Sequence, residues 1–317
     1  MEAFQNIQNM NYDLMRVLSL IASSTEIVYT LGCGDKLVGR SHECDFPLDV
    51  LDLPYCTEPK FNINGSSVEI DNRVKSILQE ALSVYRIDEG KLAELNPDLI
   101  ITQSQCDVCA VSLSDVENAV RKVLGKNPRI VSLEPNQLSD IWNDIKKVAS
   151  ALKVEKKGGL IISELRERIK NLRKMAQELE KRTVACIEWI DPLMAAGNWM
   201  PELVELAGGI NLFGSKGKHS PWMEFEDLIK RDPDVIIVMP CGYNIDKTKR
   251  EMGTLRKMSE WDNLKAVQNS DVYLTDGNQY FNRPGPRLVE SLEILMEILY
   301  ADKFDFGHKN TGWRKYI

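Results

Sequence analysis

A chain of 317 residues, 43% apolar and 27% charged, has an ordinary globular composition and is long enough for two lobes rather than one. Its formal net charge of -7 leaves no basic excess to displace counterions, which argues against nucleic acid or an anionic membrane as a partner. Its apolar runs are strand-sized, short of the roughly 20 residues a membrane helix needs, so no membrane insertion is expected.

The N-terminal stretch carries Glu2 and Asp13 and lacks a basic start followed by an apolar run. It does not read as a signal peptide, and a cytoplasmic protein is expected. An odd count of seven cysteines in such a chain predicts thiols, ligands or packing residues rather than a disulfide framework.

In chain order, Arg16 to Ile21 is strand-like, and a tight turn leads into an amphipathic helix through Ile27 that Ser24 or Thr25 can cap and Gly32 can end. A short strand from Lys36 to Arg40 precedes the loop Ser41-His42-Glu43-Cys44-Asp45-Phe46-Pro47. Helices are predicted over 68–84 and 88–95, then strand 98–102, helix 113–124, strand 129–132 and helix 138–152. From Leu160 the apolar positions Leu165, Ile169, Leu172, Ala176 and Leu179 step by threes and fours, which predicts one long helix set off from the preceding one by Gly158-Gly159. A second series follows: strand 184–190, helices 200–207 and 224–230, strand 234–239, a helix near 248–258, strand 271–275 and helix 286–300.

Strands alternating with helices predict an α/β fold with parallel sheets. The halves also echo each other. Leu92 to Ile101 and Leu228 to Ile237 each read as helix, Pro-Asp turn and buried strand, with Cys106 and Cys241 just past the equivalent strands. The expected architecture is two Rossmann-like lobes, 16–155 and 183–302, joined by one long α-helix within 156–182, with a ligand cleft between them beyond the carboxyl ends of the strands.

Four stretches carry a family resemblance: Val17-Leu18-Ser19-Leu20 with Ser24-Thr25-Glu26, Asn96-Pro97-Asp98-Leu99-Ile100, Glu202 to Gly209, and Arg283-Pro284-Gly285-Pro286-Arg287-Leu288. In order and spacing they resemble the helical-backbone substrate-binding proteins of ABC importers, closest to the cobalamin-binding branch, from Arg16 to about Tyr300. The resemblance implies a large flat chelate held between the lobes. It also sets Asp45-Phe46-Pro47 at the cleft edge and has Asn278 to Arg283 supply aromatic and polar contacts from the second lobe. Members of the family offer one acidic residue per lobe to the transporter. Glu226 matches in the second lobe, whereas the first-lobe position falls at Gly90 beside Glu89, which leaves transporter docking doubtful. The insert from Asn62 to Tyr85 has no counterpart in the compact members.

The candidate ligand-binding residues are Thr25, Glu26, His42, Asp45, Phe46, Gln103, Gln105, Trp199, Trp222, Asn278, Tyr280, Phe281 and Arg283. Aromatic faces suit a corrin-like ring and also suit inter-helix packing. Arg283 suits an anionic group or a helix C-terminus, and Ser24 and Thr25 suit an anion or a simple cap. His219, on a Gly-rich loop, could offer an axial ligand to a chelated metal or lie on the surface. A second reading joins Cys44, Cys106, Cys109 and Cys241, with His42 in reserve, as ligands of zinc or an iron–sulfur cluster; against it stands packing of small half-buried thiols.

No Ser/His/Asp set, phosphate-binding Gly-rich loop or paired-carboxylate spacing points to catalysis. The leading expectation is a cytoplasmic carrier or sensor that binds a corrinoid or related metal chelate. The rival is a metal- or iron–sulfur protein, possibly an enzyme.

Overall fold

The computed structural model describes residues 15–79, 83–105 and 111–317. The first lobe begins with β1 (Val17–Ser19), α1 (Ala22–Thr30) and β2 (Leu37–Arg40). A small excursion follows, consisting of β3 (Thr57–Pro59), α2 (Ser67–Gln79) and β4 (Tyr85–Ile87). Then come α3 (Glu89–Leu95), β5 (Leu99–Gln103), α4 (Leu113–Val123), β6 (Arg129–Leu133) and α5 (Leu138–Ala151). Its sheet is all parallel in the order β2-β1-β5-β6, and β3 pairs antiparallel with β4 apart from it.

The connecting helix α6 (Glu155–Ala176) leads to β7 (Thr183–Trp189), β8 (Met194–Ala195), α7 (Met200–Leu206), β9 (Ile210–Asn211) and α8 (Phe225–Arg231). The chain continues through β10 (Val235–Val238), α9 (Ile245–Arg256), α10 (Lys265–Gln268), β11 (Val272–Thr275), α11 (Leu288–Leu299) and β12 (Trp313–Lys315). The second sheet has the order β12-β11-β10-β7-β8, with β9 also on β7. Its middle strands are parallel, while β8 and β12 run antiparallel at its margins. The α/β architecture of two parallel-sheet lobes and one long linking helix is therefore as the alternation of elements predicts.

The internal echo has a common physical cause. Asn96 and Asp232 end seven-residue helices in the left-handed conformation, at φ 40° and 41°, where short polar side chains are tolerated and a following proline stops the helix. Asp98 then accepts the backbone N–H of Arg16, ahead of β1, at 2.9 Å, and Asp234 accepts that of Thr183, at the start of β7, at 2.7 Å. Each lobe is thus seeded by one turn that stops a helix and clamps the neighbouring strand.

The connecting helix begins earlier than its pattern suggests, and Gly158-Gly159 lies inside it. The break falls at Lys153, with φ 60°, and a Cβ on Gly158 would come within 2.6 Å of the Ala149 Cβ. Glycine there lets α5 and α6 approach. Ile162, Leu165, Ile169, Leu172 and Ala176 form the buried stripe of α6, and they join a core cluster that includes residues of both lobes. Burying each of the larger aliphatic residues contributes about 1.5–3 kcal/mol, so the stripe ties the lobes to one helix.

The tail beyond residue 302 is also structural. Buried Glu297 accepts the indole N–H of Trp313 at 2.5 Å and the backbone N–H of His308 at 3.2 Å, which holds β12 on the sheet edge.

Asp144 on α5 is enclosed, with its Oδ2 unpartnered, and burial pushes its carboxyl up to about 6 against the opposing Lys147. A raised carboxyl penalises the ionised folded state, so the penalty is absent near pH 4 and complete above pH 6. Asp144→Asn is therefore expected to stabilise the protein at pH 7.5 by as much as about 3 kcal/mol, and hardly at all at pH 4, in urea unfolding at the two pH values.

Candidate functional site

The carboxyl ends of the two sheets face each other across a cleft. Ile21, Ser23, Gln103, Gln105, Leu133 and Pro135 line it from the first lobe, following β1, β5 and β6. Glu188, Asn198, Trp199, His219, Cys241 and Asn282 line it from the second. The enclosed space is about 70 Å³, room for little more than water, whereas small-molecule sites span roughly 300–1,000 Å³.

The residues expected to touch ligand divide into two groups. Gln103, Gln105, Trp199 and Cys241 reach the cleft wall, as does His219. His219 Nδ1 lies 3.0 Å from the Ser220 carbonyl. A carbonyl can only accept, so Nδ1 carries a proton, and in the neutral ring the lone pair is then on Nε2. Trp199 is mostly buried, and its indole N–H donates to the Phe281 carbonyl at 3.0 Å, which joins the cleft wall to the core.

Most of the others instead make a latch between the lobes. Buried Glu26 accepts two bonds from Arg287, at 2.9 and 2.5 Å, and lies 3.5 Å from Arg283. Arg283 donates to Asp45 at 2.5 Å. Gln279 and Asn278 also donate to Asp45, and the Phe46 ring lies 3.8 Å from the Arg287 guanidinium carbon. Burial alone would raise the Asp45 carboxyl, but Arg283 and Gln279 hold it below its ordinary range. Tyr280 is half-buried against the same Arg287.

Further residues depart from the sequence expectation. Phe281 is 1% exposed and sits in the core rather than on a ligand face. Ser24 and Thr25 are wholly buried; their hydroxyls meet Ser19 at 2.6 and 2.7 Å, and Ser24 donates back to Ile21, so these two hydroxyls are taken up inside the lobe. His42 bonds Thr57 through Nδ1 at 2.8 Å and packs on Tyr85, away from the cleft lining.

Of the four cysteines expected to meet in the cleft, Cys44 and Cys241 are among the described residues, and they face different surroundings. Cys44 is 0% exposed beside Ala22 and Val50, receives the Thr25 hydroxyl at 3.0 Å, and has its thiol pushed up to about 11 by burial. A neutral enclosed thiol is a packing group, because metals bind the thiolate. Part of Cys241 reaches solvent, but the cleft walls enclose its thiol, and with Glu188 and Glu43 nearby they push it up to about 12. Cys106 and Cys109 lie outside the described residues. Among the described residues no group of three or more His, Cys, Asp or Glu is placed to hold a metal ion.

Two features had weaker signals. In the sequence Glu188 does no more than flank a strand end. In the fold it is half-buried in the cleft, accepts the Ser220 hydroxyl at 2.9 Å, and is pushed up to about 7 by burial despite His219. The insert crosses between lobes: Ser67 donates its N–H and hydroxyl to Glu251 on α9, at 2.9 and 3.2 Å, and Lys75 lies over the exposed Trp222 ring. Of α2 only Ser67 and Ile70 are buried, so the helix is a strap held by few contacts. Glu226 stands open at the start of α8, while Glu89 is paired with Lys122 at 2.6 Å.

Residues 17–279 match the family model described as periplasmic binding protein. A vitamin B12-binding protein of Vibrio parahaemolyticus is 24% identical over 297 residues, covering 93% of this chain and 92% of that protein. The crystal structure of the periplasmic vitamin B12 binding protein of Vibrio cholerae superposes with a TM-score of 0.64 at 22% identity, over 91% of this chain and 98% of that one. The periplasmic heme-binding protein RhuT from Roseiflexus sp. RS-1, in its apo form, gives 0.66 at 22% identity, over 90% and 98%. None of the described helices is long and apolar enough to cross a membrane. A family match that runs from β1 into the turn after β11, on lobes that meet where their strands end, means that this chain belongs to the periplasmic binding protein family.

Proposed function

We propose that the protein binds a corrinoid or a related metal chelate between its lobes and serves as a cytoplasmic carrier or sensor. The observation that carries this reading is His219. It is exposed on the cleft wall with Nδ1 committed to a carbonyl, so Nε2 is free to approach a chelated metal from one face. The names of the vitamin B12-binding relatives support the class of ligand, and the odd number of cysteines supports a reducing compartment.

A corrin ring cannot enter a space of about 70 Å³, so binding parts the lips of the cleft. The Asp45–Arg283 bond and the α2 strap are the contacts in the way.

Titration of the purified protein with cyanocobalamin and with haemin tests the proposal. A shift in the absorption bands with low-micromolar or tighter affinity is expected, and His219→Ala should lose the part due to axial ligation. Flat titrations with both compounds would overturn the reading. The spectrum of anaerobically purified protein, with metal analysis, also reads the iron–sulfur and zinc alternative. Fractionation of cells checks the compartment.

A further inference from the structure

A second depression lies between α5 and α6 and shares no residue with the cleft. Lys146 lines it from α5, and Gly159, Ser163, Arg166, Glu167 and Lys170 line it from α6. Its volume of about 400 Å³ falls among small-molecule sites, which the closed cleft does not.

Charge is concentrated here. The chain carries a net charge of -7, yet residues 146 to 182 hold twelve Lys or Arg against five Asp or Glu. Positions 156, 159, 163, 166, 170 and 173 recur by threes and fours, so Lys156, Arg166, Lys170 and Arg173 stand along one side of α6, all exposed. Glu167 is the one acid among the lining residues, 3.4 Å from Lys170. Lys146 and Arg166 are paired with no acid among the described residues. At physiological salt, charges more than about 8 Å apart are largely screened, so this local excess rather than the net charge sets what the groove attracts.

Gly159 points to a ligand independently of charge. Glycine in a helix interior is destabilising relative to alanine. At Gly158 the approach of Ala149 accounts for it, whereas a Cβ on Gly159 would meet nothing within 4 Å. Packing therefore does not require Gly159. Its missing side chain leaves the α6 backbone bare beside the groove, where a ligand can come close.

We propose that this groove binds a ligand through its phosphate groups, whether on a free diphosphate compound or on an acidic lipid headgroup. The planar Arg166 guanidinium can donate to two phosphate oxygens, Lys146 and Lys170 act as point charges, and the Ser163 hydroxyl is a further donor. Three cations less Glu167 leave two positive charges, a match for a phosphate dianion. The site is separate from the cleft and stands whether or not a chelate binds there.

Calorimetric titration of the purified protein with inorganic pyrophosphate tests the proposal. Sulfate at equal ionic strength serves as a simple dianion, and phosphatidylcholine vesicles containing phosphatidic acid stand for the lipid source. Pyrophosphate should bind about tenfold or more tighter than sulfate, Arg166→Gln should weaken it about tenfold or more, and Lys146→Gln severalfold. Gly159→Ala should raise the melting temperature yet weaken binding, a combination that a packing role for this glycine does not give. Saturable binding of pyrophosphate assigns a free ligand; binding of vesicles alone, lost in Arg166→Gln, assigns a lipid headgroup. Absence of binding to both probes, equal affinity for sulfate, or binding unchanged in folded Arg166→Gln would overturn the proposal.

Discussion

Replacing Arg287 by methionine is expected to destabilise the protein by about 3–5 kcal/mol, the range for removing one partner of a buried ion pair. Glu26 and Arg287 are 3% and 7% exposed, and the guanidinium makes both bonds to the carboxylate. Without it the carboxylate must stay charged and unsolvated or take up a proton, and both cost free energy. Arg283 at 3.5 Å relieves part of this but is engaged with Asp45. The paired change Glu26→Leu with Arg287→Met should recover much of the loss, because an apolar pair of similar volume avoids desolvating two charges. Urea unfolding of the two single variants and the double variant gives the coupling energy; coupling near zero would refute the pair's role in joining the lobes.

Phe281→Ala carries the second large effect. If the ring were a ligand face, its loss would weaken binding and leave stability nearly unchanged. The structure places it in the core at 1% exposure, and its carbonyl receives the Trp199 indole. A loss of about 3–5 kcal/mol is expected, combining lost transfer energy with the cavity left behind. A melting temperature within a degree or so of the unaltered protein would contradict the placement.

These two residues mark where the sequence stops being informative. Turn chemistry is local, so the Pro-Asp turns at Asn96 and Asp232, the strands after them and the apolar stripe of α6 can all be read from neighbours a few positions apart. The latch joins residues separated by 238 and 261 positions. Nothing in the loop around Asp45 or in the Arg283-Pro-Gly-Pro-Arg287 segment says that one will neutralise the other. Read singly, Arg283 suits an anionic ligand equally well; in the folded chain its partner is Asp45.

The cysteines show the same limit. Spacing puts Cys44 after β2 and Cys241 after β10, and topology brings both strand ends toward one crevice. Which side of the loop a thiol faces depends on what packs against it. Cys44 turns inward to Thr25 and Val50, and Cys241 turns toward the cleft. The glycine pair at Gly158 misled for a related reason: propensity marks it as a break, but close packing of α5 against α6 requires the missing side chain.

The sequence by itself determined the two α/β lobes and the helix that joins them, because periodicity and turn chemistry act over a few residues. Only the tertiary structure decided that Glu26, Asp45, Arg283 and Arg287 close the lobes together while Glu188, Asn198, His219 and Cys241 face the space between them. Partnership between side chains hundreds of positions apart is set by how the sheets are oriented around α6, and that orientation is a property of the packed core as a whole.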